Sequence, residues 1–254
     1  MKIVKVGSSQ GSLGKNLGTE KAPDKIMEAL KNISVNEQSR TLFYGVDEVS
    51  VNPSNIEETN EKIFEKEGDI FIGGDHSITY PLFKKVVQKN RNAGMIMFDA
   101  HPDCENNFAP PSHEDFIQVL IEEGSLKKEN LIMIGIRNMD RKEQEYIKKK
   151  RITYYTMKDL RENMEETCDL IMERARSFGA LYISIDIDVV DPSQAPGTGY
   201  IEPAGMEARD LLYFIQRLKM LKNLKRVDLV EVNPQKDVNE MTTKLAAKII
   251  AELL

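Results

Sequence analysis

The sequence predicts an α/β fold in which helices cover both faces of a parallel sheet. Short apolar runs of strand character alternate along the 254 residues with amphipathic stretches of helical character. Three segments rich in aspartate and histidine each follow one of the apolar runs, at the carboxyl ends of strands where catalytic groups gather in such folds. The length is within the usual range for one α/β domain, and no repeat or linker divides residues 1–254.

Each element of this fold is predicted from a local pattern. The strand-like runs are residues 2–7, 40–45, 68–73, 93–99, 130–136, 152–156, 180–187 and 225–232. The amphipathic stretches between them include Pro23 to Lys31, Ile56 to Lys66, Tyr80 to Lys89, Phe116 to Glu123 and Met206 to Leu221, and Met241 to Leu254 is a closing helix. Residues 8–19 and 104–112 are long irregular loops, of a kind that often carries binding residues.

Composition and charge exclude several classes of partner. A net charge of −6 without a basic stripe argues against nucleic acid. No apolar run approaches the roughly 20 residues that span a bilayer, and the first residues form a strand-like segment rather than a signal peptide. With only two cysteines, Cys104 and Cys168, no disulfide framework is implied, and a cytoplasmic location is expected.

Two aspartate clusters follow apolar strands that lie far apart in the chain. Residues 93–97 lead into Asp99, His101 and Asp103, and residues 180–183 lead into Asp186 and Asp188. Side chains two positions apart in a strand project to the same side. Neighbouring carboxylates at the end of a hydrophobic strand repel each other and lose solvation, a cost that a multivalent cation removes. These residues therefore predict a metal site.

A third polar turn, at His76, completes the predicted ligand set. Gly73 and Gly74 allow a tight turn directly before it. Together the three segments supply four carboxylates and two imidazoles, and four negative charges balance two divalent cations. An oxygen-rich set of this kind favours hard ions such as manganese over structural zinc.

Several of these residues have plainer interpretations when taken alone. A lone His113 is more often structural than functional, although its loop lies close to the first aspartate cluster and it could carry a proton. The pair Asp186 and Asp188 could be a solvated strand end, and Asp191 a turn or helix cap. Glu231 follows the strand before Val232-Asn233-Pro234, where it could cap a turn or pair with a cationic substrate.

Five motifs in the chain resemble those of the ureohydrolase family of arginase, agmatinase, guanidinobutyrase and formimidoylglutamase. The pair Asp-Ala-His-x-Asp and Ser-x-Asp-x-Asp is highly specific, and all five motifs occur in the family's order. They are Gly73-Gly74-Asp75-His76-Ser77, Asp99-Ala100-His101-Pro102-Asp103, Ser184-Ile185-Asp186-Ile187-Asp188, Asp191-Pro192 with Ala195-Pro196-Gly197-Thr198-Gly199, and Glu231-Val232-Asn233-Pro234.

The resemblance implies a three-layer α/β/α arginase-like fold with a central, mostly parallel sheet and two Mn²⁺ ions at its carboxyl edge. His76 and Asp103 would serve one metal, His101 and Asp188 the other, and Asp99 with Asp186 would bridge both. A hydroxide between the metals would attack the guanidinium or amidine carbon. The resemblance also implies three further roles: Asp103 orients the nucleophile and accepts a proton, His113 protonates the departing amine, and Glu231 pairs with the guanidinium.

The chain departs from the family pattern around the expected substrate site. Glu114-Asp115-Phe116 follows His113 where many relatives carry Gly-Thr-Pro. Tyr200 stands in place of a threonine and Ile201 in place of a proline, and Tyr200 lies where the substrate head would bind. These departures bear on the identity of the substrate more than on metal binding.

The loop after Asp103 favours a cationic substrate tail. Residues 104–112 contain no lysine or arginine and one glutamate, Glu105. Asp140 resembles the aspartate that holds the amino group in arginases, whereas Arg137 and Arg141 could bind a carboxylate if their side chains turn inward. Agmatine, hydrolysed to urea and putrescine, is therefore the first expectation, with formimidoylglutamate and arginine as alternatives.

Two other classes of protein remain open at this point. One is a different dinuclear metal hydrolase, although Glu231 and the acidic loop argue against an anionic phosphate. The other is a non-catalytic metal-binding relative. The ureohydrolase resemblance implies a small-molecule guanidino substrate and a homo-oligomer, a trimer or a hexamer.

Overall fold

In the computed structural model, which describes residues 1–254, eight parallel strands form one sheet between two layers of helices. The predicted α/β fold is confirmed, and every strand pair is parallel. The order across the sheet is β2-β1-β3-β8-β7-β4-β5-β6. The strands are β1 Lys2–Val6, β2 Gly45–Glu48, β3 Ile70–Gly73, β4 Ala93–Phe98, β5 Leu131–Ile136, β6 Thr153–Thr156, β7 Ala180–Asp186 and β8 Leu224–Val230.

Helices pack on both faces because side chains alternate along each strand. Ile70, Ile96 and Phe98 face one core cluster, while Phe71 and Met97 face the other. The helices are α1 Ala22–Leu30, α2 Ile56–Glu65, α3 Thr79–Lys89, α4 Phe116–Glu122, α5 Arg141–Lys150, α6 Met157–Glu162, α7 Met164–Arg176, α8 Ala208–Leu218 and α9 Met241–Leu253. The first cluster takes residues of α1 and α6 to α9, and the second takes residues of α2 to α5.

One predicted strand, residues 40–45, is wrong. Strand β2 begins only at Gly45, which lies opposite Lys2 in the register of the β1 pair. Leu42 and Tyr44 are apolar because they pack against the core, not because they belong to a strand. β2 itself is an edge strand of polar sequence, so burial gives it no apolar pattern.

No helix was predicted at α5, α6 or α7, and two of these helices begin with capping signals. Asp140 and Glu143 form a reciprocal capping box at the start of α5, and Thr156 with Asp159 does the same for α6. None of the helices combines the length and the apolar character needed to cross a bilayer.

The four central strands, β3, β8, β7 and β4, bring the aspartate and histidine motifs to one edge. Their carboxyl ends lie side by side, so the residues that follow them converge. At this edge residue 74 must be a glycine, because a Cβ there would lie 1.7 Å from the carbonyl oxygen of Ser8. The loop of residues 8–19 therefore approaches the site closely.

Candidate active site

Short turns aim the predicted metal ligands into the sheet edge. After β3, the Asp75 carboxylate accepts from the backbone N–H of Ser77 at 2.9 Å and sets the turn that carries His76. At the end of β7, Asp186 accepts from the backbone N–H of Asp188 at 2.8 Å. Asp103 lies in the left-handed region with φ 50°, a conformation that aspartate tolerates better than most residues.

The candidate ligand atoms form two groups that share Asp99. In the first, Nδ1 of His76 lies 2.9 Å from Asp103 Oδ2 and 3.2 Å from Asp99 Oδ2. In the second, Nδ1 of His101 lies 3.0 Å from Asp188 Oδ2 and 3.5 Å from Asp99 Oδ1. The sixth predicted ligand, Asp186, places Oδ2 3.4 Å from Nδ1 of His76. All six predicted ligands therefore meet in one place.

The raised carboxylate pKa values and the unpartnered polar atoms of this cluster are those expected of a cation-binding site. Burial raises the pKa of Asp186 well above its usual range, and Asp188 and Asp99 raise it further. Burial and Asp99 raise the pKa of Asp103 to about 8. Two buried atoms, Nδ1 of His76 and Oδ2 of Asp99, have no hydrogen-bond partner. Buried carboxylates and an unpartnered imidazole nitrogen are the donor set that a hard divalent metal takes, so the residues fit two such ions.

Beside the cluster, Glu231 is held by three donors. Its Oε1 accepts from the backbone N–H of His76 at 2.7 Å and lies 3.0 Å from Nδ1 of His113, and its Oε2 accepts from Asn16 at 2.5 Å. Burial raises the pKa of Glu231, but the hydrogen bond and charge of His113, together with the hydrogen bonds from Asn16 and the backbone of His76, make the net shift downward. Burial lowers the pKa of His113, but the hydrogen bond to Glu231 and the negative charges of Glu231, Asp75 and Asp103 raise it to about 9.

A cavity of about 180 Å³ opens over these residues and is strongly acidic. It contains no lysine or arginine among its lining residues, and the predicted substrate-binding residues Glu105, Asp140 and Tyr200 all line it. The Tyr200 ring lies between those of His101 and His113, at centroid distances of 5.4 and 6.1 Å. Its hydroxyl donates to Glu114 at 2.7 Å, and Lys15 pairs with the same carboxylate at 2.6 Å.

The two arginines that could have bound a substrate carboxylate do not line the cavity. The guanidinium of Arg137 donates to the backbone carbonyls of Asp188, Val189 and Glu202 at 2.6 to 3.2 Å. Arg141 is 91% exposed and pairs with Glu145. Arg137 therefore fastens the backbone around the site, and Arg141 lies at the surface outside the cavity.

Some residues of the site were not singled out in the sequence. Asn16 holds Glu231 from the irregular first loop, and Asn233 in turn holds Asn16 at 2.7 Å. Glu202 lies 3.4 Å from Nε2 of His101. Asn233 belongs to the Glu-Val-Asn-Pro motif and could have been suspected, whereas nothing in the sequence around Asn16 marks it. Asp191 caps a turn by accepting from Ser193, as its plainer interpretation holds.

Comparisons with known proteins agree with this architecture. The Arginase family model matches residues 2–254. A formimidoylglutamase of Halalkalibacterium halodurans is 37% identical over 207 residues, which are 78% of this chain and 65% of that protein's length. The crystal structure of formimidoylglutamase from Bacillus subtilis superposes with a TM-score of 0.92 at 26% identity, covering 99% of this chain and 85% of the other. Arginase from Bacillus subtilis gives a TM-score of 0.87 at 25% identity, covering 100% and 98%.

Proposed function

Because the chain belongs to the arginase family, we propose that it is a manganese-dependent hydrolase of a linear guanidino compound, with agmatine as the preferred substrate. The products would be urea and putrescine. The observation that carries the choice of substrate is the cavity lining, which has many carboxylates and no lysine or arginine. A substrate with a cation at each end neutralises such a surface.

The proposed metal centre uses the six clustered side chains. His76 with Asp103 would hold one Mn²⁺, His101 with Asp188 the other, and Asp99 with Asp186 would bridge them. Asp99 is shared between the two ligand groups, which supports its bridging role. When bound, two Mn²⁺ ions would supply a water of lowered pKa and neutralise the four buried carboxylates.

Three side chains would bind the guanidinium and move protons. Glu231 lines the cavity with its carboxylate pre-oriented by Asn16 and the backbone, and would pair with the guanidinium of the substrate. Asp103 would accept a proton as water adds to the central carbon. His113, whose pKa is about 9, carries a proton at neutral pH and would donate it to the departing amine.

The outer part of the cavity would bind the substrate tail. Two ions balance the charge of Asp99, Asp103, Asp186 and Asp188, so the remaining carboxylates of the lining are in excess. They are Glu105, Glu114, Asp140, Glu143 and Glu231. Glu231 takes the guanidinium, Lys15 pairs with Glu114, and both oxygens of Glu143 accept from backbone N–H groups. Glu105 and Asp140 remain for a terminal ammonium.

Formimidoylglutamate is the second candidate, because two of the relatives reported above are named formimidoylglutamases. Its two tail carboxylates need hydrogen-bond donors. Asn138 is the one side-chain amide in the lining, and it already donates to Glu202 at 2.7 Å. The cavity therefore favours the amine tail, while the relatives favour the dicarboxylate.

The tail charge can be tested by comparing agmatine with pentylguanidine, which replaces the terminal ammonium by a methyl group. Manganese-loaded protein should have a kcat/KM at least about tenfold higher for agmatine than for pentylguanidine, because the ammonium pairs with the carboxylates of Glu105 and Asp140. E105Q should lower the ratio of the kcat/KM for agmatine to the kcat/KM for pentylguanidine. E61Q, which removes a charge from an exposed position on α2, is the matched control and should leave the ratio unchanged. Equal turnover of both compounds would contradict recognition of the tail charge.

The ureohydrolase resemblance also supports a homo-oligomer, a trimer or a hexamer. Light scattering on the intact chain, with and without Mn²⁺, would measure the subunit number. A monomer under both conditions would contradict this part of the proposal.

A further inference from the structure

Asp228, on β8, is a fully buried carboxylate without an ion-pair partner. Three hydroxyl groups surround it: Ser184 and Thr79 each donate at 2.6 Å, and Tyr182 donates as well. Burial raises the pKa of Asp228, and the nearby His76 and the three hydroxyl donors oppose that rise. The role proposed above for the metal centre does not use this carboxylate. Its surroundings nevertheless connect it to that centre.

The connection runs through the hydroxyl of Ser184. A serine hydroxyl has one hydrogen, and Ser184 directs it to Asp228. Its oxygen lies 2.8 Å from Nε2 of His76 and can only accept there, so Nε2 must carry a proton. A neutral imidazole protonated at Nε2 has its lone pair on Nδ1. That atom faces Asp99 and Asp103 and has no hydrogen-bond partner.

We propose that Asp228 and Ser184 form a relay that positions His76 for metal binding. The carboxylate orients the serine hydroxyl, and the hydroxyl holds the ring with Nδ1 directed at the ligand cluster. Asp228 is thus a positioning residue that acts on the metal site without touching a ligand. The proposal rests on the metal centre described under the proposed function. Outer partners of this kind fix the tautomer and orientation of ligating histidines.

The other ligating histidine is held differently, and this makes the relay testable. Nε2 of His101 lies 3.4 Å from Glu202, and the His101 side chain is 20% exposed, against 1% for His76. Loss of the relay should therefore weaken one of the two bound ions and spare the other. A general loss of stability would weaken both.

Two variants separate the relay from the hydrogen bonding of Asp228 itself. S184A and Y182F each remove one hydroxyl donor from the same buried carboxylate, but only Ser184 also contacts His76. The loss of stability that follows from removing one hydrogen bond to Asp228 is common to S184A and Y182F. Thermal unfolding of the metal-free proteins would measure that shared cost. S184T, which keeps the hydroxyl, is the rescue variant.

The experiment is a titration of metal-free protein with Mn²⁺, with free Mn²⁺ followed by electron paramagnetic resonance. Wild type should bind two ions per chain. S184A should bind one of them about 10- to 100-fold more weakly, as loss of such partners does elsewhere. Y182F and S184T should stay close to wild type. D228N, which leaves Ser184 in place, should weaken the same single ion.

Each outcome supports or overturns a defined claim. If wild type binds two ions and S184A and Y182F each bind two ions with wild-type affinity, the relay is wrong and the metal centre stands. The same conclusion follows if S184A and Y182F weaken Mn²⁺ binding to the same extent. If D228N retains full affinity at both sites, Ser184 acts without the carboxylate and the relay is again wrong. If wild type binds no Mn²⁺, the proposed function fails and the relay falls with it.

Discussion

His113 and Glu231 are joined by a buried hydrogen bond of 3.0 Å between Nδ1 and Oε1. Both side chains are at most 4% exposed, and Nε2 of His113 has no hydrogen-bond partner. One ring nitrogen is thus committed to a carboxylate, while the other is unengaged in a residue that lines the cavity. This is the arrangement expected of an oriented proton donor next to a reacting group.

Replacing His113 with alanine should lower turnover while leaving metal content intact. His113 is not among the predicted ligands, and general acid catalysis contributes typically about 100- to 10 000-fold. The measurements are kcat of the manganese-loaded variant and its metal content by elemental analysis. Full turnover in H113A would remove this residue from the mechanism.

Replacing Glu231 with glutamine should lower the pKa of His113. Burial lowers that pKa, and among the carboxylates that raise it to about 9 Glu231 contributes most, so His113 should titrate at lower pH in the variant. Nuclear magnetic resonance can follow this titration in a chain with three histidines, with H113A giving the assignment. An unchanged pKa in E231Q would show that other carboxylates hold the proton.

The hydrogen-bonded pair of His113 and Glu231 also predicts how the difference in stability between wild type and E231Q changes with pH. A histidine whose pKa is raised from about 6.5 to about 9 on folding stabilises the native state fully below pH 6.5. This contribution disappears as the pH rises through 9. The free energy of unfolding of wild type should therefore exceed that of E231Q by less at pH 10 than at pH 6.5, as measured by urea denaturation.

Much of the fold could be predicted because buried parallel strands leave strong apolar runs. β4 and β7 are buried on both faces, and their predicted bounds differ from the observed ones by one residue. Residues 40–45 failed as a strand because apolar character there reflects packing, whereas the true edge strand Gly45–Glu48 is polar. Apolar character reports burial, and pairing at a sheet edge leaves no comparable signal.

The ligand cluster could likewise be predicted, since each motif directly follows a strand. The residues that hold the site in place could not be predicted from the sequence. Asn16, Glu202 and Asp228 each bond a residue far away in the chain, and no local pattern marks a residue whose partner is set by topology. The orientation of Arg137 was also open, because its binding to backbone carbonyls depends on the placement of three loops.

Replacing Asp186 with alanine should abolish both metal binding and activity, because the proposed bridging carboxylate would serve both ions. D191A is the matched control. Asp191 follows the same strand but accepts from Ser193 and from the backbone N–H of Gly205, in a turn away from the ligand cluster. It should retain two ions per chain by elemental analysis. Two ions retained by D186A would contradict the bridging role.

Asp140 combines a structural contact with the proposed binding of the substrate tail, and two variants separate them. Its carboxylate accepts from the backbone N–H of Glu143 at 2.8 Å and caps α5. D140A should cost about 1 kcal/mol of stability, whereas D140N keeps a capping side chain and should cost much less. Both should reduce the preference for agmatine over pentylguanidine. A preference unchanged in both variants would leave Asp140 as a cap only.

The measurement that tests the central claim most directly is product release by manganese-loaded protein from a panel of substrates. The panel is agmatine, arginine, guanidinobutyrate and guanidinopropionate with a urea readout, and formimidoylglutamate with a formamide readout. The acidic cavity predicts that agmatine has the highest kcat/KM. Preferential turnover of formimidoylglutamate, or no product from any compound with two metals bound per chain, would contradict it.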